Sequence, residues 1–296
     1  MFRIATLLLL ILCCCQPSLL LAARLTDALQ RSVTVPDHPQ RIVSLVPSVT
    51  EVLFALGVED RIVGVTRFCT YPPAARTKPS IGNYADPGLE AIALQQPDLV
   101  IMSAATSSPG LLARLEALGV PVYIIYPRSI AATISTIRDL GELVGEPERG
   151  ARLAGKLKRA IDKVATATAN LPKPQVLLCV EIQPLTVAGP GTLADDLIRA
   201  AGGTNVVPAG PGRYPTWGIE AVLSADPELI LVSPHPGQPD PDTFFAGWPE
   251  LRAVRNGKIV TINPDWVSRP GPRLALGLAA VAKALHGIDI DLEESP

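Results

Sequence analysis

Hydrophobic positions fall into short continuous runs separated by amphipathic stretches, and this alternation predicts an α/β fold. Arg41–Leu45 reads as a short buried strand. In the Ser48-Val-Thr-Glu51 that follows, a Ser hydroxyl and a Glu carboxylate are spaced to cap the free N–H groups of a new helix. Gly57 stands where that helix would end in a left-handed residue, and Ile62–Val65 is the next strand. The rhythm continues through strands at Asp98–Met102 and Pro121–Tyr126 and helices near Leu111–Leu118 and Ile130–Leu143. A second series starts at Gln175–Val180. It carries a helix over Thr192–Ala201, strands at Leu229–Val232 and Lys258–Ile262, and a last helix near Pro272–Leu285, with a Pro-rich loop at Pro234–Pro241.

Between the two series, residues 151–170 contain neither Gly nor Pro except Gly155, and Leu153, Leu157, Ile161 and Val164 recur at steps of four, four and three. One apolar face therefore runs along a single helix over Glu146–Asn170. A flexible linker is rich in Gly and Ser, so this segment predicts a rigid strut.

The halves also match at a constant offset of 130. Gly88–Ser103 (GLEAIALQQPDLVIMS) aligns with Gly218–Ser233 (GIEAVLSADPELILVS), identical at six of sixteen positions. Each copy predicts a short helix, a Pro turn and a buried strand, with Asp86 and Thr216 as N-caps. Two copies at this distance fit two similar lobes better than a solenoid. The fold class expected is α/β: two three-layer α/β lobes over 24–145 and 172–296, joined by one long helix over 146–171. The ligand cleft falls between the lobes, where small molecules usually bind. The repeat puts Glu90 and Glu220 at equivalent points in first helical turns. The helix dipole alone favours a Glu there; the functional reading is a pair of acidic knobs that dock on basic residues of a two-fold partner.

The first 23 residues read as a secretory signal: a basic start at Arg3, the apolar run Ile4–Leu12, and small residues suited to cleavage after Ala23. Lipid anchoring at Cys13-Cys14-Cys15 is the alternative, although Leu12 is poorly suited to precede a lipidated cysteine. Cleavage would leave 273 residues with 25 basic against 28 acidic side chains, a net −3. That balance argues against nucleic-acid or anionic-membrane partners. Cys69 and Cys179 would remain, too few for a disulfide scaffold or a metal cluster. Whether they pair cannot be read from their spacing.

Enzyme signals are weak. Gly189-Pro-Gly-Thr192 lacks the Lys of a phosphate loop and reads as a turn into a helix capped by Thr192 and Asp195. There is no Gly-x-Ser-x-Gly elbow. His38, His235 and His286 are scattered, which argues against a bare-metal site.

With these residues in view, the chain resembles the helical-strut (class III) ABC-importer binding proteins, and among them the cobalamin-binding ones. The likeness runs from about Gln40 to Gly287. It rests on Arg41-Ile-Val-Ser-Leu-Val-Pro-Ser-Val-Thr-Glu51, Gly64-Val-Thr-Arg-Phe-Cys-Thr-Tyr-Pro-Pro73, Leu89-Glu90 with Pro97-Asp-Leu-Val100, and Pro264-Asp-Trp266. The resemblance implies a periplasmic, monomeric solute-binding protein rather than an enzyme. It would hold a corrinoid as transported ligand, not as a cofactor, and dock on a permease dimer through Glu90 and Glu220. By position, Tyr71 matches a cleft tyrosine and Asp265 a ligand-contacting aspartate. Tyr84 and Tyr214 stand where cobalamin binders have tryptophans, as does Ser103. Trp217 and Trp266 are neighbouring aromatics that either join the ligand surface or pack under their own loops. Haem, with Tyr71 in the kind of loop that supplies an axial tyrosine, is an alternative ligand. An iron–siderophore is another, although only Arg67 and Arg213 near these motifs offer it a basic cleft. An exported two-lobed enzyme is the alternative from another class.

Overall fold

The computed structural model describes residues 22–83, 87–105 and 109–292. Residues 1–21, which hold most of the expected signal, lie outside these residues, as do Tyr84 and the expected N-cap Asp86. The first described element is an antiparallel hairpin of β1 (Ala22–Thr26) and β2 (Ser32–Pro36). The first sheet contains β3 (Ile42–Ser44), β4 (Ile62–Val65), β5 (Leu99–Ser103) and β6 (Val122–Ile125), all parallel, in the order β4-β3-β5-β6. Its helices are α1 (Pro47–Ala55), α2 (Leu89–Leu94), α3 (Pro109–Ala117) and α4 (Ile130–Leu143).

The near-continuous apolar character of these strands has a simple cause: both faces are covered. Ile42, Leu99, Ile101 and Ile125 pack with α1 and α4, while Val43, Val100, Met102 and Ile124 pack with Ile92 of α2 and Leu115 of α3. The second half repeats the scheme. Parallel strands β7 (Gln175–Glu181), β10 (Leu229–Val232) and β11 (Ile259–Thr261) line up as β11-β10-β7, with β8 (Thr186–Val187) antiparallel at one edge and β9 (Thr204–Asn205) also paired to β7. Val176, Leu178 and Leu231 face one core, and Leu177, Cys179 and Ile230 face another. The helices here are α6 (Leu193–Ala200), α7 (Ile219–Ala225), α8 (Pro241–Phe245), α9 (Arg252–Arg255), α10 (Pro264–Ser268) and α11 (Leu274–His286). The duplicated segments become equivalent elements, α2 with β5 and α7 with β10, each strand lying inside its sheet.

Between the halves, α5 runs over Pro147–Thr168, 22 residues, or about 33 Å at 1.5 Å per residue. Its buried face is Gly150, Ala154, Leu157, Ile161, Val164 and Thr168, with Leu153 partly buried beside it. It does not bridge free space. One apolar core holds α1 and α4 from the first half, α5 in the middle, and α6 and α11 from the second. Where α5 crosses α4, Gly141 meets Gly150 so closely that a β-carbon on Gly141 would lie 2.6 Å from the Gly150 Cα.

Two expected caps are replaced. Helix α1 begins at Pro47 with Val46 as N-cap and no side-chain cap. The Ser48 hydroxyl is buried without a hydrogen-bond partner, and Glu51 is turned toward the other half of the chain. Pro47 explains the shift, since its fixed φ and missing N–H suit the first helical turn. Likewise α7 takes Gly218 as N-cap, not Thr216, because Thr216 is held in a bridge with Thr186. The cap at α6 is the expected one. Thr192 Oγ1 accepts from Asp195 N at 3.1 Å, and Asp195 Oδ2 accepts from Gly191 N at 3.0 Å.

Candidate functional site

Parallel α/β sheets leave a crevice outside the carboxyl ends of their strands, where ligands bind. Here two such ends face each other. The cleft between them has a volume of about 540 Å³. Val46 follows β3, Phe68 follows β4, Ser103 ends β5 and Tyr126 follows β6; the other wall includes Thr192, Tyr214, His235 and Asp265. Both walls are built from loops and element ends that follow the strands, so the sheets fix their positions while these residues set the chemistry.

The floor is an ion cluster joining the two halves. Arg273 Nε and Nη2 donate to the two Glu51 oxygens at 2.8 and 2.6 Å. Arg269 Nη1 reaches Glu51 at 3.3 Å, and its Nη2 lies 2.8 Å from Asp265. Glu51 is 3% exposed and Arg273 7%, so this is a bidentate pair with little water around it. Burial alone would lower the Arg273 pKa, but Glu51, Asp265 and the Tyr71 hydroxyl outweigh it and raise it above the ordinary value. The Arg273 guanidinium also lies over the Tyr71 ring, 4.0 Å from its centroid. Close by, a β-carbon on Gly271 would touch Ser48 at 3.3 Å, so the two halves meet almost backbone to backbone.

The far wall is tied differently. Asp196 Oδ2 on α6 accepts from the Ile130 backbone N–H at 2.7 Å, and so caps a helix of the opposite lobe beside Ser129, which accepts from Ala132 N. Arg213 Nη2 donates to Tyr126 Oη at 2.6 Å. The Arg213 backbone is held by Gly189 N, which donates to its carbonyl at 2.7 Å. A β-carbon on Gly189 would lie 3.0 Å from that carbonyl oxygen, so glycine permits the approach.

Of the residues singled out from the sequence, Tyr214 and Asp265 line the cleft. Tyr214 is 50% exposed; even so, burial of its hydroxyl end pushes its pKa up, against the lowering influence of Arg213. Tyr71 lies under Arg273 rather than among the lining residues. Trp217 packs against the core of the second sheet. Trp266 lies on α10 with its carbonyl against Gly277 of α11. Tyr84 is outside the described residues. Ser103, Arg213 and the exposed His235 also line the cleft. Sequence reasoning passed over Tyr126, Arg128 and Arg269, although Tyr126-Pro-Arg128 directly follows a strand at its carboxyl end, which is where the crevice rule points.

Glu90 and Glu220 are exposed in the first turns of α2 and α7. Each helix runs back to the start of the strand that follows it. Its first turn therefore lies toward the end of its own sheet where the cleft opens.

Cys69 and Cys179 are buried and free. Thr50 Oγ1 donates to Cys69 Sγ at 3.1 Å, and burial pushes the Cys179 thiol up to about 12. Among the described residues there is no gathering of three or more His, Cys, Asp or Glu side chains that could hold a metal ion, and no helix is long and apolar enough to cross a membrane.

Two α/β lobes on a shared helical spine, with a cleft at the facing strand ends, define a class III solute-binding protein. The chain belongs to the periplasmic binding protein family, whose model matches residues 42–266. It is 28% identical over 260 residues to the vitamin B12-binding protein of Vibrio vulnificus (strain YJ016), covering 87% of this chain and 94% of that one. Its structure is similar to that of the periplasmic vitamin B12 binding protein of Vibrio cholerae, with a TM-score of 0.75 and 28% identity, covering 83% of this chain and 96% of the other. It is also similar to a periplasmic haem-binding protein from Roseiflexus sp. RS-1 in its apo form, with a TM-score of 0.74 and 30% identity, covering 83% and 98%.

Proposed function

We propose that this chain is the periplasmic solute-binding component of an ABC importer that captures a cobalamin-type corrinoid and delivers it to a permease dimer. The observation that carries this reading is the cleft of about 540 Å³ whose walls come from both lobes, in a chain whose curated relatives include proteins named for vitamin B12 binding. Phe68 and Tyr214 present large rings to it and are 41% and 50% exposed. Such rings contribute wide apolar area at low entropic cost to a flat macrocycle. In this reading no side chain does covalent chemistry; residues 1–23 act as the export signal; and Glu90 and Glu220 meet cations on the two permease subunits. The shared core around α5 allows only small movements between lobes, so release comes from differential affinity between the free and docked states.

Isothermal titration of the purified protein with cobalamin, haemin and a ferric siderophore tests the reading. Saturable binding of cobalamin with one ligand per chain is the expected result; heat from haemin or the siderophore alone would replace it. Haem is the second reading, favoured by the arginines in the cleft, which suit its carboxylates.

A further inference from the structure

Among the described residues, eight arginines, Arg31, Arg61, Arg149, Arg152, Arg199, Arg252, Arg269 and Arg273, have a carboxylate within ion-pair distance. Two in the cleft do not fit that pattern. Arg128 and Arg213 stand on opposite walls beside one ring, their guanidinium carbons 5.0 and 5.8 Å from the Tyr126 centroid. Each is held by Tyr126 rather than by an anion: Arg213 through its hydrogen bond to the hydroxyl, Arg128 over the ring. The acids that line the same two spaces are already engaged, Asp196 by Ile130 N and Arg199, and Asp265 by Arg269. Both guanidiniums line the main cleft and also a side chamber of about 400 Å³, which Thr192, Ser129 and Arg199 help to enclose. Among the described residues, neither guanidinium has a carboxylate within ion-pair distance, so two like charges face one space that Asp196 also helps to line.

We infer that Arg128, Tyr126 and Arg213 form an anion subsite that selects ligands carrying a peripheral carboxylate. The inference rests on the cleft being the ligand site. A macrocycle lying against Phe68 and Tyr214 would direct a rim carboxylate between the two guanidiniums, whose planar forks donate bidentately to a carboxylate. Carboxylates of this kind occur on partly amidated corrinoids and on haem, and the subsite reads the shared group.

The test uses two matched pairs: cobyric acid against cobinamide, in which one carboxylate becomes an amide, and haemin against its dimethyl ester. Affinities are measured for the unaltered protein and for the variant carrying Arg128→Gln and Arg213→Gln. The free acid is expected to bind at least about tenfold more tightly than its neutral partner in whichever pair binds, as a charge-assisted hydrogen bond implies. The variant should lose that preference while the neutral compound is little affected. Arg213→Lys, which keeps the charge but not the fork, should retain only part of it. Tight binding of acid and neutral partner alike, or a preference that survives in the double variant, would overturn the subsite while leaving the cleft reading intact. Binding of none of the four compounds would overturn the cleft reading and the subsite with it. The pair that binds distinguishes a corrinoid from a haem source.

Discussion

The floor and the wall of the cleft both contain arginines, yet they are solved in opposite ways. On the floor, Arg273 is buried, bidentate to Glu51 and backed by Tyr71. On the wall, Arg128 and Arg213 are more exposed and rest on Tyr126, with no ion pair among the described residues. A buried charge that has found its partner does structural work, because removing either member strands the other out of water. A charge left on a neutral ring costs little to keep, and its electrostatic capacity remains for a ligand. The contrast separates what holds the lobes together from what distinguishes one solute from another.

Breaking the floor should have the largest effect. Arg273→Ala leaves the buried Glu51 carboxylate with only the longer Arg269 contact and should cost about 3 kcal/mol of stability, lowering the unfolding midpoint by roughly 10 °C, as read by calorimetry. Removing both charges together with apolar residues, Glu51→Met with Arg273→Leu, should recover much of that loss. If both variants unfold alike, the cost comes from packing and not from the stranded carboxylate.

The glycine contact of the spine should rank second. Gly150→Ala forces a β-carbon into the Gly141 backbone at 2.8 Å and should cost about 1–3 kcal/mol, measured by denaturant unfolding. The cross-lobe cap ranks third: Asp196→Ala frees the Ile130 N–H and should cost about 1 kcal/mol. The wall ranks last for stability. Arg128→Gln should change it by less than about 0.5 kcal/mol, the effect falling on ligand choice instead.

Alkaline pH gives an independent check on the cores that flank both regions. Burial, then the charges of Asp139, Asp27 and Glu142, pushes the Tyr123 hydroxyl up to about 12, and burial does the same for the Cys179 thiol. Both folded values lie above the ordinary ones. The stability these neutral groups lend is therefore complete below the unfolded-state pKa and is lost as pH rises toward 12. Unfolding free energy should fall progressively above about pH 9, and Cys179 should resist maleimide at pH 8 in the folded chain while reacting once unfolded. For docking, charge reversal by Glu90→Lys with Glu220→Lys should abolish uptake and leave ligand affinity unchanged.

Much of this architecture was legible along the chain because parallel strands buried on both faces write themselves as apolar runs. Ile130–Leu143 and Leu229–Val232 appear with the bounds the pattern indicates, and the 130-residue repeat aligns helix with helix and strand with strand. The capping box at Ser48 and Glu51 was misleading for a physical reason. Its spacing is correct for a local cap, but a partner 222 residues away, invisible to any window along the sequence, offers Glu51 two charge-assisted bonds. One local hint existed: Arg273 stands at the start of α11, where the helix dipole disfavours a cation unless an anion is near. The cleft was harder to read because its lining comes from single residues after separate strands. Tyr126 and Arg213 are 87 positions apart and meet only when the sheets face each other.

Amide hydrogen exchange with and without cobalamin would show directly where the ligand sits. Slowed exchange is expected at 103–105, 126–128, 213–214 and 265–270, the segments on both sides of the cleft, with little change in α2 and α7. Protection confined to one lobe, or located away from these loops, would contradict a ligand held between the two.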